Sequence, residues 1–209
     1  MAYLCLLLSG AALLVNGLAT LGRLPRRDAA VLSLAVGGTQ LVLGVVHSAS
    51  TAEAPLTAAG IFLFGLTYVY AGLDVVLGLG SKGLGWFCGM VAFVGLLLAA
   101  AWLGADPLLA VLWLAWAALW GLLFASSALG RTNLDLFTGW ALVLASQTTA
   151  TVPAFLGLAG AWPLGPQAAV VAAVFLAAVF VAARGLARRG AGTPRRASEV
   201  GSGAGAGPG

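Results

Sequence analysis

Three features of this chain predict an all-α polytopic membrane protein: a bundle of seven transmembrane helices, N-terminus outside and C-terminus inside. The first is composition. Of the 209 residues 61% are apolar and 8% charged, against roughly 45–50% and 25% in soluble domains, and the mean hydropathy is +1.05. The second is segment length, because the apolar runs approach the roughly 20 residues that cross a hydrocarbon core of about 30 Å. The third is the placement of charge: seven spans put all ten Lys and Arg residues on one side of the membrane. A soluble enzyme, a disordered regulator and a nucleic-acid module are excluded, although the pI of about 9.7 would otherwise suggest the last. The 30 glycines follow no collagen-like period.

The first run, 2–22, opens Met1-Ala2-Tyr3-Leu4 without the basic stretch of a secretory signal, so it reads as a span. Runs at 28–48, 56–79 and 84–104 follow, bounded by charge or by Pro and Gly clusters. Gly104-Ala105-Asp106-Pro107 separates the fourth run from the fifth, 107–127. The sixth, 136–160, is parted from the seventh, 164–184, by Ala161-Trp162-Pro163-Leu164-Gly165-Pro166. Both linkers read as tight turns, since proline cannot continue a helix and restricts the residue before it. The transmembrane domain is therefore expected over 1–186, with a disordered cytoplasmic tail of Gly, Ala, Ser, Pro and Arg over 187–209.

Orientation follows from Arg23, Arg26, Arg27, Lys82, Arg131, Arg184, Arg188, Arg189, Arg195 and Arg196. With seven spans the outer loops hold only Glu53 and Asp106; with six, the five C-terminal arginines would lie outside, against the positive-inside rule. Membrane lipid headgroups are the counter-charge this implies, and no nucleic acid is needed. In the last span Ala169, Ala173 and Ala177 repeat every four residues, as do Ala168 with Ala172 and Ala178 with Ala182. Small residues at that spacing let helices approach closely, either within one chain or between copies.

Several residues stand out against this apolar background. Trp86, Trp102, Trp140 and Trp162 fall near the membrane interfaces, where tryptophan is expected, but Trp113, Trp116 and Trp120 form a stripe inside the fifth span. That stripe is either a packing ridge or one wall of a slot for a small planar solute. In the third span Thr67, Tyr70 and Asp74 are expected on one face by their spacing. An ionisable residue within a span costs about 2.5–3.5 kcal/mol at mid-membrane, so Asp74 should face a cavity or a partner. Asn16 falls at similar depth and offers a shared hydrogen bond; Lys82 offers an ion pair instead. The sixth span carries Ser146-Gln147-Thr148-Thr149-Ala150-Thr151-Val152-Pro153, polar enough for a water-lined path, although Ser and Thr can also return bonds to their own backbone.

Other chemistry has no foothold. Cys5 and Cys88 sit in apolar runs with no CxxC partner and read as small buried hydrophobes. There is no Walker loop, zinc-ligand set, or nucleophile paired with a base. His47 reads as an interfacial side chain, and the last span lacks the lysine a retinal protein needs. No cofactor and no enzymatic activity are implied.

These segments resemble the AmiS/UreI family of urea and short-chain amide channels. The matching stretches are Asn16-Gly17, Val36-Gly37-Gly38, LFGLTYVYAGLD at 63–74, WLAWAALW at 113–120, and Trp140 followed by Pro153. The resemblance implies a six-helix pore unit, with 164–184 as an extension, assembled as a homohexamer in the bacterial inner membrane. It implies pore positions at Leu6, Leu13, Tyr70, Trp113, Trp116 and Trp120. Three departures stand at such positions: Leu66 replaces a family phenylalanine, Asp74 an asparagine, and Ala145 the pore glutamate. With Asn16 and Thr149, these make up the expected solute-lining set. The resemblance further implies passive uptake of urea or short aliphatic amides, supplying a cytoplasmic urease or amidase. Acid gating is not expected, because the pore glutamate and the long histidine-bearing outer loop are missing. A proton-coupled small-solute transporter using Asp74 is the alternative.

Overall fold

The computed structural model describes residues 1–50 and 55–191. Within them lie helices α1 (Ala2–Thr20), α2 (Arg26–Ser50), α3 (Pro55–Leu77), α4 (Lys82–Trp102), α5 (Pro107–Ser127), α6 (Asp135–Ala145), α7 (Val152–Leu158) and α8 (Pro166–Ala191). A 3₁₀ turn, Thr132–Leu134, leads into α6, and a π-helical segment, Ser146–Thr151, joins α6 to α7 as one interrupted sixth span. Seven segments are therefore long and apolar enough to cross a membrane, within a few residues of the expected bounds. The last span, expected over 164–184, is a helix that runs on to Ala191. The loop around Glu53 and the remainder of the expected tail, with Arg195 and Arg196, lie outside the described residues.

Helix ends follow local chemistry. Asp106 caps α5, its carboxylate accepting the Leu109 N–H at 3.0 Å, with Pro107 in the first turn where its missing N–H costs nothing. Its second oxygen accepts the Trp162 indole N–H at 3.0 Å, and Tyr3 packs on that indole with ring centroids 5.4 Å apart. At the far end Arg23, Arg26, Lys82 and Arg131 cluster at helix termini, with Arg184 in the last third of α8; this is the basic end below. Arg23 lies over Trp140 and Arg184 over Phe137, both about 5 Å from the ring centroid.

Glycine sets two crossings. A Cβ on Gly37 would meet the Gly65 carbonyl and the Val69 N at 2.7 Å, so α2 and α3 touch backbone to backbone. Likewise a Cβ on Gly17 would lie 2.9 Å from the Val143 N and 3.0 Å from the Gly139 carbonyl, locking α1 against α6. α8 packs on α5 and α6 through Ala169, Leu176 and Ala183, while Val170, Val174 and Val181 are exposed. Of the alanine stripe only Ala169 is buried; Ala173 and Ala177 face outward.

Candidate functional site

A cavity of about 280 Å³ runs from the basic end into the middle of the bundle. Its mouth is formed by Arg26, Ser81, Ser127 and Asp135, and its wall by Leu13, Asn16, Thr67, Leu119 and Thr138. It ends on Phe64, Tyr68, Trp116 and Trp120. Below the mouth no charged side chain other than Asp74 lines it.

The inner end is an aromatic cluster centred on Phe64. That ring lies 4.7 Å from Trp120, 5.1 Å from Trp116 at 88°, and 6.0 Å from Trp113. Trp116 and Trp113 add a second edge-on pair at 5.0 Å and 87°. Such tilted contacts set ring edges against π faces, each contributing about 0.5–1.5 kcal/mol beyond simple burial. The Trp116 indole N–H donates to Thr149 Oγ1 at 3.0 Å, and Thr149 in turn donates to the Ala145 carbonyl at 2.7 Å. Thr149 is thus a brace behind the ring. Pro153 cannot donate within its helix, and the π-helical segment before it is where the sixth span departs from regular α geometry.

Of the expected solute-lining residues, Leu13, Asn16, Asp74, Trp116 and Trp120 line the cavity. Trp113 packs behind Trp116 and Phe64, and Leu6 packs half-buried against the core without reaching the cavity wall. Ala145 is buried and reaches the site only through the carbonyl that Thr149 takes. Leu66 and Tyr70 are placed otherwise. Thr67, Tyr70 and Asp74 do not share the cavity face: Tyr70 and Leu66 lie in a shallow groove on the outside of α3, beside Leu73 and Phe87. The Tyr70 ring lies tilted against Phe87 with centroids 6.0 Å apart, and its hydroxyl occupies the space a side chain at Gly83 would need. The reason is helix phase. Gly65 and Gly72 turn one face of α3 to α2, which leaves Phe64, Thr67, Tyr68, Ala71 and Asp74 toward the cavity. At about 100° per residue Tyr70 then falls roughly 40° beyond the Asp74 edge of that arc. Phe64 and Tyr68 are therefore the aromatic residues that sequence reasoning missed, and the Gly37–Gly65 crossing was the signal for them.

Asp74 bonds to neither expected partner. Its carboxylate accepts the Ser81 N–H at 2.8 Å and the Ser81 hydroxyl at 2.5 Å. Ser81 has φ of 59°, a left-handed conformation that a non-glycine residue adopts at a cost. The carboxylate thus clamps a strained turn between α3 and α4. Asn16 instead donates through its amide to the Ala12 carbonyl and to Ser33 Oγ, both at 2.8 Å. The polar run of the sixth span largely satisfies itself: Ser146, Thr148, Thr149 and Thr151 donate to carbonyls three to five residues back. Gln147, expected on a water-lined path, is exposed on the outer surface of the bundle. No group of three or more His, Cys, Asp or Glu residues suited to a metal occurs among the described residues.

A seven-span helical bundle whose cavity opens at one end and closes on aromatic rings can admit a small solute, and comparison with known proteins names the class. Residues 1–161 match the AmiS/UreI family transporter model, and the chain belongs to that family. It is 46% identical over 169 residues, 78% of this chain and 82% of the relative, to a protein assigned as the transporter AmiS2 of Rhodococcus erythropolis. It is 29% identical over 187 residues, 73% of this chain and 95% of the relative, to an acid-activated urea channel of Helicobacter pylori. The crystal structure of the urea channel from Helicobacter pylori superposes with a TM-score of 0.71 at 30% identity, covering 78% of this chain and all of that one. The chain is a multi-pass membrane transporter of this family, and its relatives are transporters and channels, not enzymes.

Proposed function

We propose that the protein is a channel for passive uptake of urea or short aliphatic amides, running past the Phe64–Trp116–Trp120 cluster into the basic-end cavity. The observation that carries this reading is the cavity itself, which below its mouth is lined by apolar, aromatic and neutral polar side chains and one carboxylate, Asp74, held by Ser81. At the aromatic end, past Asp74, a hydrated ion would find no charge to replace its water shell, whereas a flat neutral amide can lie against ring faces and exchange a few hydrogen bonds. The clamp between Asp74 and Ser81 supports a channel over a proton-coupled carrier, because it gives the carboxylate a structural task.

The same reading places the basic end in the cytoplasm by the positive-inside rule, in the bacterial inner membrane. Hydrolysis by a urease or amidase would maintain the inward gradient, and the protomers would assemble as a homohexamer. Flux is expected to be similar at pH 5 and pH 7.5, since alanine stands where the family's urea channel has its pore glutamate. Uptake of labelled urea and acetamide into proteoliposomes at both pH values tests this. Flux no greater than in empty liposomes overturns the channel reading, and a large gain at pH 5 overturns the ungated form.

A further inference from the structure

Most of the described helical threonines return their hydroxyl to a carbonyl of their own span. Thr20, Thr39, Thr67, Thr148 and Thr149 each donate their hydroxyl to the carbonyl four residues back. Thr138, in the first turn of α6, does not. It is 1% exposed, its Oγ1 has no hydrogen-bond partner among the described residues, and it lines the cavity. A buried hydroxyl left unpaired is costly and rare, so one on a cavity wall points to whatever enters the cavity.

A second residue on the same cavity wall, Asn16, has complementary chemistry. Gly17 and Gly139 bring α1 and α6 into backbone contact, and the residues just before them in the two helices, Asn16 and Thr138, both line the cavity. The Asn16 amide nitrogen is occupied by Ala12 and Ser33, and its carbonyl oxygen has no partner among the described residues. The wall therefore offers one hydroxyl, able to donate, and about one helical turn further in one carbonyl, able only to accept.

We propose that Thr138 and Asn16 form a primary-amide binding station between the cavity mouth and the aromatic cluster. The inference rests on the reading that amides traverse this cavity. The Thr138 hydroxyl donates to the solute carbonyl, and the Asn16 carbonyl accepts a solute N–H. Such a pair selects amides over apolar molecules of equal size and makes flux saturable, because a solute must leave the station before the next can bind.

The test is acetamide influx into proteoliposomes over a range of concentrations, for the wild type, Thr138→Val and Thr138→Ser. Valine keeps the shape and removes the hydroxyl, so half-saturation should rise about three- to tenfold, as for one lost hydrogen bond; serine should restore it. Without solute, Thr138→Val should unfold at the same temperature as wild type or higher, because it removes an unpaired polar group. A purely structural hydroxyl would give lower stability and an unchanged half-saturation, and either result overturns the station. Should the valine variant fail to assemble, Thr138→Ala against Thr138→Ser carries the same comparison. The preference for acetamide over N-methylacetamide should survive in Thr138→Val, since the hydroxyl reads the carbonyl; a changed preference overturns the assignment of donor and acceptor. If the wild type shows no amide influx, the channel reading itself fails. Influx with identical half-saturation in wild type and valine variant removes the station alone.

Discussion

Helices α5 and α8 are both apolar enough to cross a membrane, yet half of the most apolar stretch of α5 is buried inside the bundle and only 17% of that of α8. Apolarity decides that a helix enters the bilayer; side-chain size and spacing decide where it sits within the protein. α5 carries Trp113, Trp116 and Trp120 at turn-to-turn spacing, each about 95% buried against α3 or the sixth span. α8 is built of alanine and valine, holds on through a thin line at Ala169, Leu176 and Ala183, and turns its other faces outward. The family match ends at residue 161, before α8 begins, while α5 supplies two residues of the cavity's inner end. The two helices thus differ in task as well as in burial.

Four substitutions test that contrast, and the largest effect belongs to α5. Trp116→Ala removes the ring that Phe64, Trp113 and Thr149 all touch. It should cost about 3–5 kcal/mol of unfolding free energy in mild detergent and alter the ratio of urea to acetamide uptake. An unchanged ratio would reduce the indole to packing. Next comes Gly17→Val, which drives a branched side chain into Val143 and the Gly139 carbonyl. Overpacking of this kind costs about 1–3 kcal/mol, and thermal denaturation should register it. Asp74→Asn should cost about 0.5–1.5 kcal/mol, because the amide still offers one oxygen to Ser81, and downhill flux should persist. A folded Asp74→Asn protein that had lost uptake would revive the proton-coupled carrier. The smallest effect is expected on α8, where Val174→Ala should stay within about 0.5 kcal/mol. A loss there as large as that of Trp116→Ala would erase the contrast between the helices.

The spans were legible in the sequence because their limits are written in charge and proline, which act locally. Pro107 and Pro166 begin helices where the linkers predicted turns, and Lys82 and Trp102 bound α4 within two residues of expectation. Trp116 and Trp120 were legible for a related reason: large aromatics far from an interface need a surface to lie against. The face of α3 was not legible by spacing alone, because both candidate faces carry aromatic residues and only the approach of Gly65 to Gly37 chooses between them. Nor was the π-helical segment, since its polar residues satisfy backbone that a regular helix would not have exposed. Thr138 is the sharpest case. In the sequence it is one threonine among several, and only the missing partner for its hydroxyl sets it apart.

The aromatic floor of the cavity also makes the protein an optical reporter of its own contents. Indole fluorescence is quenched on collision by acrylamide, itself a small primary amide, and by iodide, a hydrated anion. Trp116 and Trp120 face the cavity, while the exposed Trp86 lies on the outer surface beside Phe124. With Trp86 and the half-buried Trp102, Trp140 and Trp162 replaced by phenylalanine, a molecule that admits neutral amides and turns ions away should lose emission to acrylamide and keep it in iodide. The spectrum would then read selectivity directly, without a membrane or a gradient.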